Sequence, residues 1–353
     1  MATYYVDGAV GDDANLGTSE GAGNAWATIQ KALDTVAAGD HVYIKASATY
    51  NEALTASTTG AANNPIAFEG YTSTPGDRGI ITNDGTTGTL ANGFAPGSGS
   101  WYYIWLNVRW TNFSACCAGD FTGDRVTYFN CRADNSGGDG FRGDVGCVWV
   151  QCTAEDNSSH GIDAGGLAYI LNCIIADNTA DGVELDEGYI MNCLLRSNGG
   201  SAVNLLTAGP HIVVGNIIDG DSKDTTIGIY LASDLSVVVA NNIIYDCATG
   251  IQANTDVPRN ILVYNSVYNN TTNYTNCQQY VGEQTGEVTF INEGSEDYGP
   301  GSTSAAVANG MDIRHCPNAP SMSGDQANIG HLLQEISTGG GGTTYGIKTG
   351  GML

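Results

Sequence analysis

A repeat constrains this chain more than any other feature. A Cys or Asn, an apolar residue two positions on and a polar turn recur as CRADN from Cys131, CTAEDN from Cys152, CIIADN from Cys173 and CLLRSN from Cys193. The series continues as NIIDGD from Asn216, NIIYDC from Asn242 and NSVYNN from Asn265. Successive copies lie 21, 21, 20, 23, 26 and 23 residues apart. A period of this length marks a stack of similar units, each burying its apolar side against its neighbours. One step is one coil of a solenoid.

A second ladder runs in phase with the first, through Gly140-Phe141, Gly161-Ile162, Gly182-Val183, Ala202-Val203, Gly228-Ile229 and Gly250-Ile251. Each pair opens a short alternating strand, giving two strand types per coil. Parallel strands stack about 4.8 Å apart, so equivalent residues form rows. The inward rows are then apolar: Ala133, Ala154, Ile175, Leu195, Ile218, Ile244 and Val267. The 49 glycines fit the many tight bends such a coil requires. The expected fold is all-β, a parallel solenoid with roughly 20–26 residues per coil.

The Cys/Asn row is read as core. Stacked positions hold their Cβ atoms further apart than the ~3.8 Å of a disulfide, and a single column supplies no tetrahedral zinc set. Free cysteine packs as a small hydrophobe, and stacked asparagines can hydrogen-bond to one another. Ten cysteines without CxxC spacing are expected to be mostly reduced thiols.

A solenoid end exposes strand edges and needs a cover. Trp26, Ile29, Leu33 and Val36 fall at helical spacing, so residues 26–36 are expected to form a capping helix, followed after Gly39-Asp40 by a strand from His41 to Lys45. The segment from YYVDGAVGDD to HVYIKASATYNE resembles the N-terminal part of pectate-lyase-like superfamily proteins. EDYGPGSTSAAVANGMD and QANIGHLLQ resemble their closing segment, and the Gly-Ile and Asn-Asn motifs between match their repeats, over residues 3 to 334. The resemblance implies a right-handed parallel β-helix with an N-terminal capping helix. That superfamily includes polysaccharide lyases, glycoside hydrolases, mannuronan epimerases, and tailspikes and other virion proteins of bacteriophages, so the fold alone selects no activity. The expected organisation is a cap with the first coil over 1–60, the β-helix over 61–290, a closing segment over 291–334 and a Gly-rich tail over 335–353. Tyr345, Ile347, Met352 and Leu353 give that tail apolar anchors for docking on neighbouring subunits of an assembly.

Thirty-seven acidic against twelve basic residues give a formal charge of -25. Such a chain repels nucleic acid, anionic membranes and polyanionic polysaccharides unless cations intervene. It has no apolar run long enough to span a membrane and no basic-then-apolar start, so export by a signal peptide is not expected. A virion protein assembled in the host cytoplasm fits that pattern; an extracellular protein that has lost its leader is the alternative.

Alternation points one row outward: Arg142, Asp163, Glu184, Asn204, Tyr230 and Gln252, with Asp144 and Asp186 two positions on. Asp163 and Glu184, on adjacent coils, could form an acid/base pair in which proximity raises one pKa, with His160 beside them and Arg142 orienting a substrate. Tyr230, Asn204 and Gln252 would contact glycan. Asp144, Asp163, Glu184 and Asp186 also offer the hard oxygens of a calcium site. The plain alternative is a solvated acidic face. The four lysines, at 31, 45, 223 and 348, form no cluster, which argues against a uronate lyase or epimerase. Asp12 and Asp13 read as a polar turn or a cation loop. On these grounds a non-enzymatic structural or adhesive protein of a bacteriophage particle, of tailspike, fibre or capsid-decorating type, ranks first. A polysaccharide lyase or glycoside hydrolase working in a groove on the β-helix face ranks second.

Overall fold

The computed structural model describes residues 1–86, 88–96, 99–119, 123–207, 209–221, 224–232, 236–254, 260–277, 282–283, 285–286, 290–292, 297–300, 334–338 and 342–346. Two compact units divide the chain, 1–188 and 189–353. In the first, parallel strands stack in three columns. The first column holds the Cys-motif strands, among them Val108–Thr111, Arg132–Asp134, Thr153–Glu155 and Ile174–Ala176. The second holds the strands of the Gly-apolar ladder, Asp139–Gly143 pairing with Ile162–Leu171. A third column runs through Thr3–Asp7, His41–Lys45, Ile66–Tyr71, Tyr103–Leu106, Thr127–Phe129 and Cys147–Val150, and ends on the second half of Ile162–Leu171. Sequence reasoning found only two strand types per coil and, of the third column, only His41–Lys45. The rest escaped it because from Tyr103–Leu106 onward its outward positions are nearly as apolar as its inward ones, which erases the period-two contrast.

Corner residues explain why the first-column strands are so short. Asn130 and Asn135 bracket Arg132–Asp134 with φ of 51° and 55°, and Gln151 and Asp156 bracket the next strand at 55° and 57°. Asn and Asp tolerate this left-handed region better than most side chains, so the polar letters flanking each Cys motif are the bends of the coil. One position further on, buried asparagines tie coil to coil: Asn157 Nδ2 donates to Asn178 Oδ1 at 2.9 Å.

Inside the first unit the inward rows are dry. Ala133, Ala154 and Ile175 are buried as expected, as are Cys131, Cys152 and Cys173. The thiols donate weakly to carbonyl oxygens of Trp105, Tyr128 and Trp149 at 3.4–3.6 Å. None of the nine cysteines among the described residues forms a disulfide. The third column contributes an aromatic stack, Phe68 on Trp105 with centroids 4.4 Å apart and Tyr128 on Trp149 at 6.0 Å. A buried carboxylate anchors the first column: Asp134 accepts from Arg109 at 2.8 and 2.9 Å and from Arg132.

The N-terminal helix is shorter than its apolar spacing suggests, Ile29–Leu33. Trp26 instead lies in extended backbone bridged to Val6, and its indole N–H donates to Asn15 O. Thr28 caps the helix, and Glu52 accepts from the backbone N–H of Ile29 and Gln30. Trp26, Ile29, Leu33 and Val36 are all buried, so the spacing marked a packed face. The strand His41–Lys45 forms as expected.

In residues 189–353 the same three columns recur. Leu194–Arg196, Ile217–Asp219, Ile243–Tyr245 and Ser266–Tyr268 form the first. Ser201–Leu205, Ile227–Leu231, Thr249–Ala253 and Thr272–Thr275 form the second. Pro210–Val214, Ser236–Ala240 and Ile261–Val263 form the third. The predicted asparagine ladder is present: Asn216 Nδ2 donates to Asn242 Oδ1 at 3.0 Å, and Asn242 Nδ2 to Asn265 Oδ1 at 2.9 Å. Gln334–Thr338 and Gly342–Gly346 pair antiparallel. Most of the closing segment and tail, with Lys223, lies outside the described residues.

Candidate functional site

Three consecutive strands of the second column place the candidate residues. Arg142 sits in register beside Asp163. Gly161 N donates to Asp181 O and Ile162 N to Gly182 O, which sets Glu184 beside Asp163 on the following coil. The outward row expected from alternation therefore forms, with Arg142, Asp163 and Glu184 side by side.

Its electrostatics are not those of a solvated face. Asp139, fully buried, accepts from Arg142 Nε at 2.5 Å and from the backbone N–H of His160 at 3.0 Å. It fixes the guanidinium and the coil above together. Asp163 is only 9 % exposed and accepts no hydrogen bond among the described residues. Burial, then the charges of Asp139 and Glu184, push its carboxyl up to about 7, against the opposing pull of His160 and Arg142. Glu184 is also raised, first by burial and then by its acidic neighbours, while His160 pulls it down.

His160 Nδ1 is shielded from solvent without a hydrogen bond and lies 3.8 Å from Asp181 Oδ2. One ligand atom each from His160, Asp181 and Glu184 falls within 4.8 Å of the others. An imidazolium at His160, or a divalent cation among the three, would neutralise both carboxylates. Of the residues expected around calcium, Glu184 belongs to this group, while Asp144, Asp163 and Asp186 stand outside it. Gly165 and Gly166 occupy the coil between Asp144 and Asp186, and a Cβ on Gly166 would come within 2.8 Å of Asp144 Oδ1. Asp144 thus lies over a glycine of the next coil.

In the second unit Asn204, Tyr230 and Gln252 stack in register, half-buried. Asp13 accepts from the N–H groups of Ala27 and Thr28 and from the Thr28 hydroxyl, so it serves the helix cap. The anchoring role of Asp139 was missed by sequence reasoning, since alternation gives a side chain's direction and not its depth.

A family model described as a right handed beta helix region matches residues 163–293. The chain is a right-handed parallel β-helix. Solved structures similar to this β-helix include pectate lyase Pel9A, with a TM-score of 0.64 and 14% identity over 94% of this chain and 96% of that one. The alginate lyase from Paenibacillus sp. str. FPU-7 gives a TM-score of 0.56 and 13% identity, covering 72% of this chain and 95% of that one. A rhamnogalacturonan lyase gives 0.50 and 18%, covering 76% and 74%. At identities this low the likeness shows the parallel β-helix fold alone and leaves the activity to the site. No curated protein matches the chain.

Proposed function

We propose that this β-helix is a carbohydrate-active enzyme, a glycoside hydrolase with Asp163 as its proton-carrying carboxyl. The observation that carries the reading is Asp163 itself, an outward-row carboxyl that is nine-tenths buried and accepts no hydrogen bond. Such a group retains a proton near neutrality and can deliver it to a leaving oxygen. Glu184, on the adjacent strand, is the second carboxylate that hydrolysis of a glycosidic bond requires, as nucleophile or as base toward water. Arg142, pinned by Asp139, is positioned to hold a sugar hydroxyl or ring oxygen. Asp139, Asp163, Asp181 and Glu184 outnumber Arg142 and His160, so a neutral glycan suits the site better than a polyuronate. The similar solved structures named as polysaccharide lyases support a polysaccharide substrate in general.

The test is cleavage of neutral and acidic polysaccharides, following new reducing ends and the ultraviolet absorbance of unsaturated sugars. Reducing ends from a neutral polymer, reduced at least 100-fold in Asp163→Asn, are the expected result. Unsaturated products would make the protein a lyase instead. A non-enzymatic adhesive protein of a phage particle is the second reading, favoured by the half-buried Asn204, Tyr230 and Gln252 row, which could contact sugar away from the carboxylates. Glycan binding without cleavage, weakened by Tyr230→Ala and untouched by Asp163→Asn, would decide for it.

A further inference from the structure

His160 leads into one strand of the second column, Ile162–Leu171, while Asp181 and Glu184 come from the next coil, one before and one within the strand Val183–Met191. Ladder bonds fix both coils at these residues: Gly140 N donates to His160 O at 2.9 Å, and Gly161 N to Asp181 O at 3.1 Å. Asp139 also holds the backbone N–H of His160 at 3.0 Å. The three side chains therefore converge from a rigid backbone, with one ligand atom of each within 4.8 Å of the others. All three are half-buried, the imidazole 20 % and the Asp181 carboxylate 14 % exposed, so they are partly stripped of water yet open to an entering ion.

His160 Nδ1 is shielded from solvent, makes no hydrogen bond and stays 3.8 Å from Asp181 Oδ2. That separation is too long for a hydrogen bond. It is the separation of two atoms that share one ion through bonds of about 2.0–2.2 Å, the lengths zinc makes to nitrogen and carboxylate oxygen. Beside Glu184 stands Asp163, nine-tenths buried and accepting no hydrogen bond among the described residues, so uncompensated negative charge extends past the three ligands. We propose that His160, Asp181 and Glu184 bind a divalent transition-metal ion of the zinc class. Two carboxylates neutralise the dication, and the imidazole nitrogen selects against calcium and magnesium, which take oxygen ligands. Three protein ligands at a half-exposed position leave a coordination place for water. The binding does not depend on the enzymatic reading. An occupied site takes up Glu184, so the hydrolysis proposed above belongs to the cation-free protein.

Calorimetric titration of zinc chloride into the full chain, first stripped with a chelator, tests the site without any substrate. One ion per chain with a dissociation constant of about 10 µM or tighter is expected. His160→Ala and Glu184→Gln should each weaken it at least about tenfold, the loss typical even of a group that only supports a ligand. Circular dichroism of both metal-free variants should match wild type. His41→Ala, which removes the partly exposed pair of His41 with Glu69, is the control and should bind as wild type does. Calcium chloride should bind at least about 100-fold more weakly than zinc. A wild type that binds no zinc overturns the proposal, as does binding that survives both variants. Calcium bound as tightly as zinc overturns it too, because the imidazole would then have no part in the site.

Discussion

At the scale of the residue, Asp163 matters because its burial has a thermodynamic signature separable from catalysis. Its carboxyl is raised to about 7 in the fold, against 3.8 ordinarily. The folded state therefore holds a proton that the unfolded chain releases, and stability falls as pH rises from about 4 to about 7. The penalty is absent below the unfolded value and complete above the folded one. Asp163→Asn removes it. The variant is expected to exceed wild-type stability at pH 8 by on the order of 2 kcal/mol, allowing for solvent screening, and to lose that advantage at pH 4. Denaturant melts at both values check this, and a variant less stable than wild type at pH 8 would refute the buried, unpaired state. Activity and stability thus move in opposite directions in one substitution, as expected where a site holds a carboxyl in an unfavourable setting for its chemistry. The sequence made Asp163 and Glu184 neighbours through the spacing of the Gly-apolar ladder. It could not show the depth, which depends on Asp139 drawing Arg142 against the coil.

At the scale of the element, the strands of the first column are held as much by polar ladders as by apolar packing. Asn242 is fully buried and sits at the centre of one such ladder: its Oδ1 accepts from the N–H and Nδ2 of Asn216, and its Nδ2 donates to Val213 O and Asn265 Oδ1. Asn242→Ala strands buried partners on both neighbouring strands and should cost about 2–4 kcal/mol. Cys152, in the equivalent place of the second motif, makes only weak thiol contacts, with Tyr128 O at 3.4 Å and Val150 O at 3.5 Å, and Cys152→Ala should cost about 1 kcal/mol. Urea midpoints at unchanged m-value would measure both, and equal losses would mean that the row is held by volume alone. This row was legible because a Cys or an Asn recurs at every coil, four cysteines and then three asparagines, while flanking Asn and Asp mark the bends. The third column was not, since Val148 and Val150 outside resemble Cys147 and Trp149 inside. Its apolar outer face hid it from pattern reading.

At the scale of the molecule, net self-repulsion and ion pairing respond to salt in opposite directions. A chain of charge -25 is destabilised by its own repulsion, which mobile ions screen over about 10 Å at 0.1 M. Partly exposed ion pairs such as Lys45 with Asp7 weaken with salt but contribute little. Raising salt from about 0.02 to about 0.5 M should therefore raise the melting temperature by several degrees. Calorimetry across that range checks this, and a melting temperature that falls as salt rises would mean that the ion pairs outweigh the self-repulsion.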